Sequence, residues 1–583
     1  MRLLQGADGD VRVEADSYAL ELSADGLHAW LRSAAGKRLL CLRPAAALDT
    51  VGKADETLSV AVPRVLEDGD RIVVEVARRS TVWSRAATTI VCDERSLELR
   101  TRVEGRGSLT DARLLGFRAL FPGGPTGLQA TISNMRTLFT PSPGDAARIL
   151  RPAGESAGLG VAGDGALGRG HTFFTPAPLY LALTDDDESW TSLGVVAPVE
   201  QLTFPSLVYE AGDRLFSLRL DYEGHTDVDG VFEAPPILLT VGVPDPYTGL
   251  RRHRDDLAAR GAAPPVRDRD APAWWSEPIF CGWGAQVHAA KDAAAPWGSA
   301  ATQAHYDAFL DALEENGVVP GTIVIDDKWQ SSYGANAPDR AKWPDLAGWI
   351  AARHARGQKV LLWLRAWAPE GLPPALCVRT PAGEPVGLDP SNQATREVLT
   401  AMVARLLGPD GLDADGLKID FTGRTPAGRA LVAHGGAWGI ALLHELLRVV
   451  YEAAKAAKPD ALVITQAPHP AFADVADMLR LNDMLRIDDP GPPQIVEQMR
   501  YRAAVAAAAC PELLIDTDDW QAPSLAEWRA YLREKAGLGV PALYYATHLD
   551  ATGEPLEPED YAMLREVWDG WRAGRKQALE VGG

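Results

Sequence analysis

Leu417-Lys418-Ile419-Asp420-Phe421 is the stretch whose reading decides the fold of this chain. It has the form of the end of a buried strand. Residues 418 and 420 are two apart, so a strand turns both side chains to one face. A cation beside a carboxylate keeps that carboxylate ionised and low in pKa. A dry, ionised carboxylate at a strand end suits a nucleophile. Further along, Arg480-Leu481-Asn482-Asp483 closes another apolar run, Met478-Leu479. Two aspartates on two strand ends make a candidate pair of nucleophile and acid.

Around these two stretches the pattern is regular. From Trp274 onward, apolar runs alternate with helical patterns, which predicts parallel βα units. Eight strands are expected: Ile279–Gln286, Thr322–Gln330, Lys359–Trp367, Gly416–Phe421, Ala461–Ala467, Met478–Asp483, Leu513–Trp520 and Ala542–Asp550. Helices are expected over Ala304–Asn316, Gln393–Leu407, Trp438–Lys458 and Ser524–Ala536. About 300 residues in eight βα units is the size of a TIM barrel. An open doubly wound sheet is the second choice, although no Gly-rich phosphate loop follows any strand.

The chain before this point reads differently. Short alternating runs such as Val11–Ala15, Arg71–Val76, Leu97–Val103 and Leu215–Leu220 recur between Gly, Pro and Asp. They predict a large antiparallel sandwich with no catalytic constellation of its own. Residues 246–261 suit a helix, and the Pro-rich, charged stretch Ala262–Pro272 suits a boundary. The expected fold is therefore multidomain: an all-β supersandwich over 1–245, a linker with a helix over 246–273, and a (β/α)8 barrel over 274–583.

At 583 residues the chain is too long for one core. Its net charge of −21 argues against nucleic acid and anionic membranes as partners. The N-terminus, Met1-Arg2-Leu3-Leu4-Gln5, has no apolar leader pattern, and no run of 18 apolar residues occurs. A cytoplasmic location is expected, and the oligomeric state, including a homo-oligomer, stays open. The five cysteines are scattered, with neither CxxC nor Cys/His spacing. Reduced, buried thiols and a site without metal or cofactor are expected. Fourteen of the 17 tryptophans lie at or after Trp274. Packing is the ordinary role for most of them, and those at strand ends offer platforms for sugar rings.

Five strand ends carry candidate site residues. The second gives Asp326, Asp327 and Trp329; the third Trp363 and Arg365; the fourth Lys418 and Asp420; the sixth Arg480 and Asp483; the seventh Asp516 and Asp518. Carboxylates, cations and indoles converging on one rim suit a polyhydroxylated ligand. Asp516 and Asp518 each suit a helix cap as well as a site role. Consecutive strand residues point oppositely, so Asp326 and Asp327 cannot both be caps. Asp477 is expected to precede the sixth strand, and Asp488-Asp489-Pro490 to lie in the loop beyond it. His434, His469 and His548 are lone histidines, read as packing or rim.

The set IDDKWQ, LLWLRAW, LKIDF and RLND resembles the α-galactosidase clan of glycoside hydrolases, and within it family 36, the melibiases and their raffinose-synthase relatives. The likeness covers roughly residues 275–550. It implies a retaining, exo-acting α-glycosidase, most simply an α-galactosidase, with an oligosaccharide or glycoside as substrate. It places the nucleophile at Asp420 and the acid/base at Asp483. It further assigns substrate binding to Asp326 and Asp327 (toward O4 and O6), Lys418, Arg480 and Trp363, with Trp329 and Arg365 on the same rim. The chain departs from the family at the fifth strand, where Thr465-Gln466-Ala467-Pro468-His469-Pro470 stands in place of a Cys and Gly-Gly motif. The stretch after Asp550 suits a closing helix and little else, where the family carries a further β-domain. Three alternatives accompany this reading: a transglycosylase of the raffinose-synthase kind, a glycosidase for another sugar, and a catalytically silent carbohydrate-binding protein.

Overall fold

The computed structural model describes residues 1–6, 9–121, 124–142, 149–161, 173–186, 188–267, 269–484 and 495–582. Up to Val243 the described elements are strands, apart from one 3-10 turn. Arg71–Ser80 shows why: Ile72, Val74 and Val76 point inward while Arg71, Val73 and Glu75 stay more open, the period of two that a half-buried strand requires. Two 19-residue strands, Ser96–Leu114 and Leu215–Glu233, run antiparallel to one another with a register shift between Leu109 and Asp111. Along its length Ser96–Leu114 also pairs with Arg85–Cys92, Ala47–Thr50 and Ile237–Val243. Because these long strands change partner, the 21 described strands join in one hydrogen-bonded network. A helix, Pro246–Ala259, follows, its N-terminus capped by Asp245, which accepts from Thr248 N at 2.8 Å.

The rest of the chain builds a parallel barrel. Its strands are β1 (Ile279–Cys281), β2 (Thr322–Ile325), β3 (Lys359–Arg365), β4 (Gly416–Asp420), β5 (Leu462–Thr465), β6 (Met478–Arg480), β7 (Leu514–Asp516) and β8 (Ala542–Leu543). They pair in sequence order, and β8 pairs with β1. Between β7 and the start of β8, Val540 N donates to Ile515 O at 2.7 Å and Thr517 N to Val540 O at 3.2 Å, which closes the ring. The closure excludes the open doubly wound sheet. β2 (TIVI) and β5 (LVIT) are buried at every position, as strands covered on both faces must be.

All eight expected strands occur, each shorter than its sequence run. The segment expected as a single strand over Ile279–Gln286 is β1 followed by the helix Trp283–Asp292. Beyond Arg480, Asp516 and Leu543 the chain leaves the ladder, so most polar site residues lie just past a strand end. The helix Gln393–Leu407 has the expected limits, whereas Ser524–Ala536 is broken into Leu525–Leu532 and Lys535–Leu538. Between β5 and β6 the described chain makes only the 3-10 turn Pro470–Phe472.

The two parts of the chain meet at the C-terminal rim of the barrel. Thr175 N donates to Gln466 O at 3.0 Å, and Asn482 Nδ2 to Phe173 O at 2.6 Å. Tyr501 OH reaches Thr140 O at 2.5 Å. His225 stacks on Trp438 with ring centres 3.6 Å apart.

Candidate active site

Register sets the first contacts. In the β3–β4 ladder Trp363 lies level with Lys418 and Arg365 with Asp420. Lys418 and Asp420 share the inner face, but about 6–7 Å of strand separates them. Lys418 turns to β2 instead: its Nζ donates to Asp326 Oδ2 at 2.7 Å, to Tyr544 OH at 3.1 Å and to Cys281 Sγ at 3.3 Å. Cys281 Sγ also donates to Asp326 Oδ2 at 3.0 Å, and Asp327 N to Asp326 Oδ1 at 2.8 Å. Asp326 and Lys418 thus form a buried ion pair tied into β1, β2, β4 and the segment after β8. The direct cation for Asp420, expected to be Lys418, is another residue.

That residue is Arg480. Its Nη2 donates to Asp420 Oδ1 at 3.1 Å and to Gln466 Oε1 at 2.9 Å. Its Nη1 donates to Asp483 Oδ1 at 3.1 Å and to Asp518 Oδ2 at 2.9 Å. One guanidinium fork therefore holds the tips of β4, β5, β6 and β7 together. Asp420 and Asp483 keep 20% and 22% of their side chains open, whereas Asp326 keeps 4% and Asp518 none. Of the carboxylates paired with Arg480 or Lys418, Asp420 and Asp483 are the two left partly open.

The two open carboxylates are tuned in opposite directions. Burial alone would raise Asp420, but Arg480, Lys418, the Phe421 N–H and the Trp363 N–H outweigh it and hold the carboxyl below its ordinary value. Asp483 is pushed up to about 7: burial dominates, Asp518 and Asp420 add to it, and Arg480 opposes it. Asp516 rises to about 6 through burial and then the Asp518 charge. Asp516 and Asp518 are not caps. Asp516 Oδ1 accepts from Asp518 N at 2.9 Å, and the next helix is capped by Ser524.

Backbone strain collects at the same tips. Lys328, Trp367, Phe421, Asn482 and Asp518 all have left-handed φ, between 51° and 73°. For a bulky residue such as Phe421 this conformation costs on the order of 1–3 kcal/mol. Local hydrogen bonds and one long-range clamp hold these tips in place. Phe421 N donates to Asp420 Oδ1 at 2.7 Å, and Asp483 N to Asn482 Oδ1 at 2.9 Å. Buried Arg502 clamps the β6 tip, its Nη1 donating to Leu481 O at 3.0 Å, Asn482 O at 3.0 Å and Asp483 O at 2.7 Å.

Trp363 Nε1 donates to Asp420 Oδ2 at 3.2 Å. Trp329, expected to touch substrate, is fully buried and donates to Trp363 O at 2.9 Å, so it supports Trp363 instead. Asp327 differs from Asp326: the Tyr333 hydroxyl and the Lys328 backbone N–H meet its side chain, and among the described residues its Oδ1 is buried without a hydrogen-bond partner. Burial pushes its carboxyl up to about 6, against that hydroxyl. Across the rim, Trp520 Nε1 donates to Asp550 Oδ2 at 3.1 Å and packs on Trp283, 5.7 Å between centres. Trp297 is exposed and lies against Trp283 at 5.2 Å.

Sequence reasoning does not single out Arg502, Cys281, Tyr333, Tyr544 or the sheet residues Phe173 and Thr175, and it names Gln466 only as part of the divergent fifth strand. Asp518, a strand-end candidate in the sequence, enters the site through Arg480. Asp488, Asp489 and Pro490, expected in the loop beyond the sixth strand, lie outside the described residues. Among the described residues, no group of three or more His, Cys, Asp or Glu is placed to hold a metal ion. All five cysteines are free and buried.

No protein-family model matches the chain, and no curated protein matches it significantly. Solved structures do match its fold. An α-galactosidase from Thermus thermophilus, in complex with p-nitrophenyl α-D-galactopyranoside, is 18% identical over 87% of this chain and 94% of that one, with a TM-score of 0.52. A GH31 family sulfoquinovosidase from E. rectale is 12% identical over 97% and 82%, with a TM-score of 0.57. An α-galactosidase from Lactobacillus brevis is 12% identical over 98% and 84%, with a TM-score of 0.51. The chain has the fold of these glycoside hydrolases.

Proposed function

We propose that this chain is a retaining, exo-acting α-glycosidase, with α-galactosides as its substrate class. The observation that carries the reading is the Arg480 fork. It holds two open carboxylates to one guanidinium, one below its ordinary range and the other near 7. A single fork cannot reach two carboxylates far apart, and retention needs carboxyl groups about 5–5.5 Å apart.

In the first step Asp420 attacks the anomeric carbon and Asp483 gives its proton to the departing oxygen. Esterification removes the Asp420 charge, which is one of the causes that raise Asp483. Asp483 then becomes the stronger acid and stays ionised, as a base for the incoming water must. Arg480 keeps Asp518 as a partner throughout, so its charge is never left buried alone. Asp327, with an unpartnered oxygen, is the residue of the strand-2 pair available to a sugar hydroxyl; Asp326 is occupied by Lys418 and Cys281.

Nitrophenyl α- and β-glycosides of galactose, glucose and arabinose, followed by NMR of the first-formed anomer, test this. Release of the α-anomer from α-galactosides supports the reading. Release of the β-anomer contradicts it. Added sugar acceptors separate hydrolysis from transfer.

A further inference from the structure

We propose that the glycone handled by this site carries an anionic group, bound by Lys328, Arg365 and Arg424 on the rim above β2, β3 and β4. The inference deepens the glycosidase reading and rests on it.

Lys328 Nζ lies 4.0 Å from the centre of the Tyr333 ring. The Arg365 guanidinium lies 4.8 Å from that ring and 5.1 Å from the Phe421 ring. Arg424 lies 4.4 Å from the Phe421 ring. The five side chains alternate cation and ring. The π faces attract the cations but use none of their N–H groups in conventional hydrogen bonds. Among the described residues, none of the three is paired with a carboxylate. Lys418 and Arg480, just beneath, are each bonded to carboxylates. The neighbouring Glu370 is used by the Tyr333 N–H at 3.0 Å. In a chain with a net charge of −21, carboxylates are not scarce, so three unmatched cations at one rim are not a general surplus of base.

Their place ties them to the chemistry. Phe421 follows Asp420 directly. Trp363, whose N–H bonds Asp420, packs against Tyr333 at 5.8 Å and Phe421 at 6.1 Å. The Tyr333 hydroxyl meets Asp327, whose Oδ1 is buried without a partner. Partial burial, and then the charge of Arg365, makes Arg424 easier to deprotonate, with Asp420 opposing. Positive charge beside Asp420 opposes the oxocarbenium-like transition state of glycoside cleavage. An anion on the substrate removes that opposition. The leaving group departs on the Asp483 side, at β6, which lies opposite β2 in the ring and two strands round from β4. The cations therefore face the glycone. The carbon outside the ring, C6, is where a carboxylate, phosphate or sulfonate is accommodated without loss of a ring hydroxyl.

The test compares kcat/KM for nitrophenyl α-glycosides, galacto and gluco, that are neutral or bear a C6 carboxylate, a 6-phosphate or a 6-sulfonate. A neutral glycone on a carboxyl-bearing aryl leaving group is the control. One of the glycone anions should exceed its neutral parent by about 100-fold, the scale of two charge-assisted hydrogen bonds. Arg365→Gln, and Arg424→Gln at its exposed position, should each reduce that ratio about tenfold, chiefly through KM. Neutral glycosides turned over as well as all the anionic ones would overturn the proposal and leave the glycosidase reading standing. A preference confined to the anionic leaving group would overturn it too. If nothing turns over, the glycosidase reading fails. Calorimetric titration of Asp420→Asn with galacturonate, galactose 6-phosphate, a 6-sulfonate and galactose then decides the anion question. Tighter binding of an anion supports it, and equal affinities overturn it.

Discussion

At the tip of β4 the Asp420 carboxylate accepts from Arg480, from the Phe421 N–H and from the Trp363 indole, and it stays below its ordinary pKa. At the tip of β6, Asp483 meets the same Arg480 but also the charges of Asp518 and Asp420, and it rises to about 7. Exposure does not separate the two, at 20% and 22%. The number of donors around each carboxylate, and of acids behind it, sets one low and the other near 7, the split that the proposed nucleophile and proton carrier require.

The comparison breaks most sharply at β4. Asp420→Gly should lower turnover by on the order of 10⁵-fold, and azide or formate should restore part of it with inverted product configuration. Near-native activity in this variant would remove Asp420 from the role. Asp483→Ala is the next largest. On glycosides with poor leaving groups it should lose about 10²–10⁴-fold, and on dinitrophenyl glycosides far less. Equal losses on both would send the proton donation elsewhere, Asp488 being the first residue to replace.

The pH profile sharpens the contrast. The first step needs Asp483 protonated and Asp420 ionised. Since Asp483 lies near 7, kcat/KM should fall as pH rises through about 7, and more tenfold-like with each further unit. Asp420 is held low, so the acidic limb should lie below about 4, the ordinary aspartate value. Asp327 is also raised, to about 6, so Asp327→Asn should leave the basic limb near 7 in place. A limb that moves with Asp327→Asn would reassign it. The smallest effect is on specificity: Asp327→Asn should erode the preference for the axial C4 hydroxyl by about tenfold, as expected for a charged acceptor made neutral. An unchanged galactoside-to-glucoside ratio would show that Asp327 does not face C4.

The contrast between β4 and β6 was partly legible in the sequence. Lys418 and Asp420 announced an inner face because strand period is local, and the eight apolar runs announced a barrel for the same reason. The partners were not legible. Lys418 chose Asp326 and Cys281, which are 92 and 137 residues away, and only the closed ring brings them together. Arg480 was read as a neighbour of Asp483, but its bonds to Asp420, Gln466 and Asp518 depend on four strand tips meeting. Trp329 reads as a rim aromatic, yet the left-handed turn at Lys328 sends it inward onto Trp363. Phe173 and Thr175 carry no local signal at all. They matter because the first part of the chain lies against the tips of β5 and β6.

The most direct measurement is to trap the intermediate. A fluorinated α-glycoside of the best substrate, with an activated leaving group, should slow deglycosylation enough for mass spectrometry of the protease-digested protein. The account predicts one glycosyl residue on the peptide that contains Asp420, absent from Asp420→Asn. A label on Asp483, or turnover with no adduct and inverted product, would contradict it.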